Sequence, residues 1–388
     1  MEFNLGEEQL AFAQAARDFA QGELAPYAQE WDEKKIFPKK TLAAAGELGF
    51  CGMYSPLENG GLGLSRMDCA IILEELASGC TSTAAYISIH NMATWMLCTW
   101  GTDAIKAEWG QALTSGQKLS SYCLTESDAG SDAANLRTTA RRDNDHFVLN
   151  GSKMFISGAG ATDMLVVMAR TGSQEEGAKA ISAFAVPADT AGVHYGKNES
   201  KMGWNSQPTR AITFEDARIP AHALLGREGE GFKIAMRGLD GGRINIAACS
   251  VGAAQACVNF TQRYMRERKQ FGKPLAAFQA LQFKLADMVT ELVAARQMVR
   301  LAAFKLDSND PEKSTYCAMA KRFATDVGFK VCNEAMQLHG GYGYMREYPI
   351  ERLFRDARVH QILEGTNEIM RVITARRLLQ EDGVKSIR

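Results

Sequence analysis

The sequence lacks a long hydrophobic run and a surplus of charge of either sign. Its longest apolar stretch, residues 246–258, is interrupted by Ser250, Gly252 and Gln255 and is shorter than the roughly 18 residues of a membrane span. The 388 residues carry 44 basic and 45 acidic side chains, whereas a general nucleic-acid binder carries a basic excess. We therefore expect a globular protein that binds neither membranes nor nucleic acids.

Several common site motifs are also missing. The nine cysteines form no CxxC pair and the six histidines no HExxH, so we expect reduced core thiols and no metal site. GxGxxG, GxxxxGK[ST] and GxSxG do not occur, so any nucleotide cofactor is held without a Rossmann motif or a P-loop. The acidic start MEFNLGEEQL lacks the features of a signal or transit peptide, which favours an intracellular location.

Hydrophobic periodicity divides the chain into three zones. Residues 1–118 have helical spacing, as at Phe12, Ala16 and Phe19, and predict an N-terminal α-helical domain. Residues 119–230 contain short strand-like runs without alternating helices and predict a middle antiparallel β domain. Within it, FVLNGSKMFIS predicts a hairpin that turns at Asn150 and Gly151.

The third zone, residues 231–388, predicts a C-terminal four-helix bundle. Apolar residues there alternate steps of three and four, which is the spacing of a heptad seam: Phe278, Leu281, Leu285, Met288, Leu292, Ala295, Val299 and Ala302. We expect such a seam to pack inside a bundle, with a subunit interface as the second interpretation. The fold class is therefore α+β with three regions.

Four segments are rich in glycine, hydroxyl and charged residues. YCLTESDAGSD is either an ordinary polar loop or a cradle for a ring system or a phosphate, and RERKQFGKPL is either a solvated basic helix end or a pyrophosphate site. The third segment is QLHGGYGYMREYPIERLFRDARV. Its glycines fit either the cap and turn at the end of a helix or a close approach of the backbone to a ligand. In HQILEGTNEIMR, Glu364 is either a surface carboxylate or a desolvated general base.

In this order and spacing, the four segments resemble the signatures of the acyl-CoA dehydrogenase family, and the resemblance covers essentially the whole chain. LTESDAGSD resembles the first signature, and QLHGGYGY followed by RDARV and ILEGTNEI resembles the second. The resemblance implies a noncovalent FAD, an acyl-CoA substrate and the three-region fold of that family. Two departures are Ser127-Asp128, where many members have proline and a small residue, and Phe155, where tryptophan is common.

The resemblance also implies a role for individual residues. The base would be Glu364. The residues implied to contact acyl-CoA are Ser131, Asp240, Gly241, Gly242, Arg243 and Gly365. Those implied to hold FAD are Tyr122, Cys123, Leu124, Thr125, Glu126, Gly130, Ser131, Phe155, Ile156, Ser157, Arg268, Gln279, Thr366, Asn367 and Glu368, with Gln337, Leu338, His339, Gly340 and Gly341 reaching across a dimer interface.

The activity that the resemblance implies is α,β-dehydrogenation of a short branched acyl-CoA. We expect isobutyryl-CoA to give methacrylyl-CoA, as in valine catabolism, with 2-methylbutyryl-CoA or butyryl-CoA as alternative substrates. Electrons would pass to an electron-transfer flavoprotein from a homotetramer (a dimer of dimers) in a bacterial cytoplasm or a mitochondrial matrix. Less favoured alternatives are an acyl-CoA oxidase and a DNA-binding stress protein of the same flavin fold.

Overall fold

The computed structural model describes residues 4–387, and its first part is helical, as predicted. Helix α4 begins with a capping box. The Ser65 side chain accepts from the backbone N–H of Asp68, and the Asp68 carboxylate accepts from the backbone N–H of Ser65. Helix α5 is buried on almost every side. The helices are α1 (Glu7–Phe19), α2 (Ala28–Lys34), α3 (Lys39–Glu47), α4 (Arg66–Gly79), α5 (Thr81–Trp100) and α6 (Asp103–Thr114), and a π-helical turn, Ala20–Leu24, continues α1.

The middle part contains an eight-stranded sheet. Seven strands lie in the order β6-β7-β3-β2-β4-β5-β8, and β1 pairs with β4. The strands are β1 (Ser120–Cys123), β2 (Thr139–Asp143), β3 (His146–Ser157), β4 (Met164–Arg170), β5 (Ile181–Pro187), β6 (Val193–Tyr195), β7 (Thr209–Pro220) and β8 (Leu224–Leu225).

The prediction of an antiparallel sheet was right for most strand pairs and wrong for two of them. Most pairs are antiparallel, but β1 lies parallel to β4 and a single pair joins β2 to β4 in parallel. A parallel pair needs a crossover connection, and the β2–β3 hairpin lies between β1 and β4 in the chain.

The predicted hairpin at Asn150 and Gly151 was also wrong, because β3 runs through both residues. The turn between β2 and β3 lies at Asn144 and Asp145, with Asn144 at a φ of 54°. Gly151, at a φ of 137°, lies where the register shifts against β7, and a Cβ there would come within 2.7 Å of Thr138 Cα. The asparagine and glycine therefore form a bulge in a long strand.

The last part of the described chain is a helical bundle, as predicted. Its long helices are α7 (Gly231–Glu267), α8 (Gln279–Asp307) and α9 (Lys313–His339), followed by α10 (Ile350–Arg358), α11 (Asn367–Leu378) and α12 (Gly383–Ser386). A two-stranded ribbon links α7 to α8, with β9 (Lys269–Gln270) and β10 (Lys273–Pro274). The heptad seam packs inside the bundle, since Met288, Leu292, Ala295, Val299 and Ala302 are buried on α8.

Helix α7 is the central element of the bundle. By length and composition alone it is long enough and apolar enough to cross a membrane, but 83% of its most apolar window is buried inside the protein. The apolar stretch noted in the sequence, residues 246–258, is part of this helix. Its first part, up to Leu239, packs in the hydrophobic cluster of the sheet, and the longer part from Ile244 onward joins the bundle cluster. Residues 240–243 therefore lie where the two cores meet.

All nine cysteines are buried and free, as expected. The change from helix to strand falls between Thr114 and Ser120, and the return to helix falls between Leu225 and Gly231. The domain boundaries at 118/119 and 230/231 stay a prediction.

Candidate active site

The structure brings Glu364 against Gly242, in the first third of α7. A Cβ added at Gly242 would lie 2.3 Å from Glu364 Oε2 and 3.2 Å from Met92 Sδ. No side chain other than glycine fits at position 242 while the Glu364 carboxyl stays in place. Two residues that are 122 positions apart in the sequence therefore share one small space.

The backbone of Glu364 is in an unusual conformation. Its φ is 54° and that of Gly365 is 93°, so two consecutive residues have a positive φ. This conformation costs energy at Glu364, because Glu364 has a Cβ and glycine does not. The turn is held from both sides: Arg243 Nε donates to the Glu364 carbonyl at 3.4 Å, and the Thr366 hydroxyl caps α11 by accepting from Ile369 N. The strained turn aims the Glu364 carboxyl at α7.

The electrostatic environment of Glu364 keeps its carboxyl close to half ionised at neutral pH. Oε2 is buried and has no hydrogen-bond partner among residues 4–387. Burial raises the pKa of Glu364 to about 7, although the nearby Lys321 and Arg243 cations oppose that rise. A carboxyl with a pKa near the working pH and a free acceptor oxygen is suited to general-base chemistry.

Lys321 is a site residue that the sequence reasoning missed. Its buried Nζ donates to the Gly365 carbonyl at 2.8 Å and to Asn367 Oδ1 at 2.9 Å. Burial lowers the pKa of Lys321 to about 8, with Glu364 opposing the shift. The sequence does contain an indication that Lys321 is buried. Cys317, Lys321 and Ala324 have the spacing of one apolar helix face on α9.

Arg243 and Asp240 form a polar group on α7 beside Glu364. Arg243 Nη1 donates to Asp240 Oδ1 at 2.8 Å, and Ser314 Oγ donates to Asp240 Oδ2 at 2.5 Å. Both charged residues are largely buried. Their mutual pairing fixes the guanidinium that reaches the Glu364 carbonyl.

The loop of residues 122–131 approaches the same place from the sheet. Tyr122 has a buried hydroxyl without a partner among the described residues, and burial together with the Glu364 charge raises its pKa. The loop is anchored by Lys153, whose fully buried Nζ donates to the Leu124 carbonyl at 3.0 Å and to Glu126 Oε1 at 2.7 Å. Glu126 also accepts two backbone N–H groups, so its carboxylate holds the loop in place.

Phe155 lies next to this loop, since Met154 N donates to the Thr125 carbonyl at 2.9 Å. Phe155 has a φ of 59° and is 64% exposed. Ile156 is buried, and the Ser157 carbonyl accepts from Ser121 Oγ at 2.7 Å. The backbone of Phe155 is strained and its ring is exposed beside a hydroxyl-rich loop. Such a ring is suited to stacking on a planar ligand.

A second group of predicted residues lies in a separate cavity of about 590 Å³. It is lined by Arg268 and residues 337–341, among others, and the Arg268 guanidinium lies 5.2 Å from the centre of the Tyr342 ring. His339 stacks on Tyr264. Gln279 is exposed at the start of α8 and does not line this cavity. The cavity shares no lining residue with the group around Glu364.

The predicted residues around α11 are mainly structural in their contacts. Asn367 is buried and bonds to Lys321, Thr325 and Asp326. Glu368 is largely exposed and forms an ion pair with Arg371.

Gly130 and Ser131 lie at the open side of the loop of residues 122–131, where a Cβ on Gly130 would meet nothing within 4 Å.

The chain matches known protein domains along almost its whole length. Residues 6–117, 121–217 and 229–379 match the N-terminal, middle and C-terminal domains of acyl-CoA dehydrogenase, respectively. The chain is 52% identical to the mitochondrial isobutyryl-CoA dehydrogenase of Bos taurus, over 97% of this chain and 90% of that protein. It is 51% identical to the mitochondrial isobutyryl-CoA dehydrogenase of Dictyostelium discoideum, over 97% and 91%.

A solved structure, that of butyryl-CoA dehydrogenase from Megasphaera elsdenii, is similar in fold as well as in sequence. It superimposes with a TM-score of 0.94 at 41% identity and covers 98% of this chain and 100% of that chain. The matched domains and these identities extend over both the Glu364 turn and the loop of residues 122–131. The chain therefore belongs to the acyl-CoA dehydrogenase family.

Proposed function

We propose that this protein catalyses the FAD-dependent dehydrogenation of isobutyryl-CoA to methacrylyl-CoA. The observation that carries the chemistry is the buried Glu364 carboxyl, with its free oxygen facing Gly242 and a pKa of about 7. The 52% identity to an isobutyryl-CoA dehydrogenase supports the branched four-carbon substrate. Butyryl-CoA and 2-methylbutyryl-CoA are the alternatives, and the 41% identity to a butyryl-CoA dehydrogenase favours testing the first of them.

Glu364 acts as the base in this proposal. The Glu364 carboxylate would accept the α-proton of the bound thioester, and a flavin held by the loop of residues 122–131 would supply the acceptor for the β-hydride. A thioester α-hydrogen is only weakly acidic, so the carboxylate needs the raised basicity that burial provides. The Arg243 bond to the Glu364 carbonyl and the Lys321 bond to the Gly365 carbonyl hold the carboxyl at the reacting carbon.

The residues around Glu364 fit a flavin, as judged from their unsatisfied groups. The buried Tyr122 hydroxyl has no partner among the described residues, and the exposed Phe155 ring lies beside the same loop. We assign the loop of residues 122–131, residues 155–157 and residues 366–368 to the flavin end. Arg268, Gln279 and residues 337–341 are assigned to the pyrophosphate and adenosine. Because Arg268 and residues 337–341 line one cavity of the same chain, we assign these two to the same FAD, that of a neighbouring subunit. When bound, FAD accepts the hydride from the β-carbon.

The CoA portion is assigned to the polar residues on α7. Asp240 and Arg243 are largely buried and paired with each other, so they present fixed donors and acceptors to the thioester and the pantetheine amides. Ser131, Gly241 and Gly365 complete this set. The absence of a side chain at Gly242 lets the Glu364 carboxyl lie against α7, beside the proposed position of the thioester.

Family membership supports a proposal about the partners. We propose a homotetramer in which residues 337–341 complete the cofactor site of a neighbouring subunit, and an electron-transfer flavoprotein as the electron acceptor. The named bovine and Dictyostelium relatives are mitochondrial. We propose the mitochondrial matrix or, in a bacterium, the cytoplasm as the compartment.

Steady-state rates with four substrates test the proposal. The purified holoenzyme is assayed with isobutyryl-, 2-methylbutyryl-, butyryl- and octanoyl-CoA and an artificial electron acceptor. We expect the highest kcat/KM for isobutyryl-CoA and values about 10- to 200-fold lower for the neighbouring acyl groups, since one methylene contributes about 1–3 kcal/mol. A highest value for octanoyl-CoA contradicts the branched-chain assignment, and rapid peroxide formation in air contradicts dehydrogenase in favour of oxidase activity.

A further inference from the structure

Lys321 on α9 is a buried lysine that bonds to no carboxylate among residues 4–387. Its Nζ donates to the Gly365 carbonyl at 2.8 Å and to the Asn367 side chain at 2.9 Å, and the residue is fully buried. Both acceptors belong to the segment that follows Glu364. A buried ammonium normally has a paired carboxylate, whereas this one is held by the turn that carries the proposed base.

The side chain of Asn367 is fully engaged in contacts with α9. Its Oδ1 accepts from Lys321, while Nδ2 donates to Thr325 Oγ1 at 2.9 Å and to Asp326 Oδ1 at 2.7 Å. A primary amide has two N–H donors and one carbonyl oxygen, and all of them are used here. Lys321 and Asn367, here called the turn clamp, therefore tie the turn of residues 364–367 to α9.

The turn clamp acts on a segment whose backbone is strained. Glu364 has a φ of 54° and Gly365 a φ of 93°, and a strained residue keeps its conformation only when neighbouring groups hold it. Arg243 Nε holds the Glu364 carbonyl at 3.4 Å, whereas Lys321 holds the Gly365 carbonyl at the shorter distance of 2.8 Å. The orientation of the Glu364 carboxyl towards α7 therefore depends on Lys321.

The two cations beside Glu364 leave its carboxylate free. Lys321 and Arg243 bond to carbonyls of the turn, and neither bonds to a Glu364 carboxylate oxygen in the described chain. Both cations lower the pKa of Glu364 against the rise that burial causes, and Lys321 has the larger effect. A direct ion pair would occupy the oxygen that accepts the proton, whereas a cation on the backbone side favours the ionised carboxylate and leaves that oxygen open.

Several other titratable groups face these two charges. Burial raises the pKa of Tyr122 on β1 and of Cys249 on α7, which both face Glu364. The groups that face Lys321 are Glu364, Arg243, Asp326 on α9, Glu368 on α11 and His360, whose pKa burial lowers to about 3. Arg243 already pairs with a carboxylate of its own helix. Removing the Lys321 charge therefore acts on Glu364 without breaking an ion pair in the described chain.

We propose that Lys321 is a positioning residue for the base: its ammonium clamps the turn that carries Glu364 and sets the pH range in which the Glu364 carboxylate accepts the α-proton. This inference rests on the proposed function. Without the ammonium, burial opposes ionisation of Glu364 with less compensation, so the carboxylate forms only at higher pH. Loss of the charge therefore moves the pH dependence of catalysis towards alkaline pH, whereas loss of the bonds lowers the rate at every pH.

The variants Lys321→Gln and Lys321→Met separate the charge from the clamp, because glutamine keeps N–H donors without a charge and methionine keeps neither. The holoenzymes are assayed with isobutyryl-CoA between pH 5 and pH 9. We expect the midpoint of the rise in kcat/KM to move about one pH unit towards alkaline pH in both variants. At pH 9, Lys321→Met should be at least about tenfold slower than Lys321→Gln, since its turn is untied. Equal rates of the two variants at pH 9 would contradict the clamp.

Lys201→Gln is the matched control. Lys201 is also a lysine whose pKa burial lowers to about 8, and its Nζ donates to the carbonyls of Trp204 and Gln207 at 2.8 Å each. The carboxylate that acts on it is Asp356 rather than Glu364. We therefore expect the control to keep the wild-type midpoint, even where the loss of these bonds lowers its stability.

A purely structural role for Lys321 predicts a different result. Rates of Lys321→Gln would then fall by the same factor at every pH, and the midpoint would stay at the wild-type value. That result, or an equal change of midpoint in Lys201→Gln, overturns the proposal.

Urea unfolding tests the same charge interaction without substrate, also in a variant that turns over too slowly to assay. The wild type, Lys321→Gln, Glu364→Gln and the double variant are compared as purified at pH 7.5 and pH 5. We expect Lys321→Gln to lower the urea midpoint more in the wild type than in Glu364→Gln at pH 7.5, and equally in both at pH 5, where the carboxyl is mostly neutral. Equal losses in both backgrounds at both pH values would overturn the proposal.

Failure of the proposed function is a different result. The wild type would then not turn over isobutyryl-CoA, whereas the pH-dependent difference between the two backgrounds in urea would remain.

Discussion

The carboxyl of Glu364 fills the space that a side chain at position 242 would occupy, with 2.3 Å between Oε2 and the position of a Cβ on Gly242. The carboxyl comes from the turn before α11, whereas the glycine lies in the first third of α7. Two different backbone positions can therefore deliver a carboxylate to the same point. A carboxylate placed at position 242 is therefore expected to reach the same reacting carbon as Glu364.

Exchanging the two residues should move the base from one helix to the other. Glu364→Gly should abolish dehydrogenation, and adding Gly242→Glu should restore a measurable rate with isobutyryl-CoA. We expect incomplete recovery, because a misplacement of about 1 Å can reduce the rate a hundredfold. A folded, FAD-loaded double variant that is no faster than Glu364→Gly argues against the shared space, and Gly242→Glu alone serves as the control for crowding.

The pH dependence of catalysis should report the ionisation of Glu364. Burial raises the pKa of Glu364 to about 7, and only the ionised carboxylate accepts a proton. We therefore expect kcat/KM to increase about tenfold per pH unit below pH 6 and to level off above pH 8. A profile that is flat between pH 5 and pH 8 would show that the rate does not depend on this carboxyl.

The same pKa makes Glu364 a cost to stability at neutral pH. In the unfolded chain the carboxyl ionises near its ordinary pKa of 4.5, whereas in the folded protein its pKa is about 7. The stabilisation that is present below pH 4.5 is therefore lost as the pH rises through 7. We expect Glu364→Gln to be more stable than the wild type at pH 8, by on the order of 3 kcal/mol.

Urea unfolding of both proteins at pH 4.5 and pH 8 measures this difference. The advantage of Glu364→Gln should shrink strongly at pH 4.5, since the wild-type carboxyl is then mostly neutral in the folded state. An advantage of equal size at both pH values would contradict the burial of an ionisable group at this position.

The ion pair between Lys153 and Glu126 should hold the loop of residues 122–131. Lys153→Met leaves a largely buried Glu126 carboxylate without its cation, so we expect a loss of about 3–5 kcal/mol and weaker FAD retention. The exposed pair between Lys118 and Asp163 is the control, and Lys118→Met should cost at most about 1 kcal/mol. Equal losses in the two variants, measured by urea unfolding, would contradict an anchoring role for Lys153.

The sequence predicted those features that depend on local patterns or on the family motifs. The three zones and the seam on α8 follow from periodicity, and the family motifs indicated Glu364 as the base. Local patterns failed where distant strands decide the outcome. Asn150 and Gly151 have the composition of a turn, but pairing with β7 keeps them inside β3, and parallel pairing of β1 with β4 depends on residues 44 positions apart.

The buried cations of the site were missed for a related reason. Lysine and arginine in helices are assigned to the solvent face by composition, because a charge is rarely buried without a partner. Lys321 is buried because the Gly365 carbonyl and Asn367 accept its hydrogen bonds. Arg66 is buried because Tyr54 and Trp95 stack around it and Gly241 leaves room. These partners are distant in sequence and become visible only when the helices are packed.

The central claim, that Glu364 removes the α-proton, is tested most directly by anaerobic mixing of Glu364→Gln holoenzyme with isobutyryl-CoA. An amide cannot accept the proton, so we predict that the variant keeps its FAD, binds the substrate and loses the rapid bleaching of flavin absorbance by about 10²- to 10⁴-fold. Bleaching at more than about a tenth of the wild-type rate, in a variant with full FAD content, would contradict the assignment of Glu364 as the base.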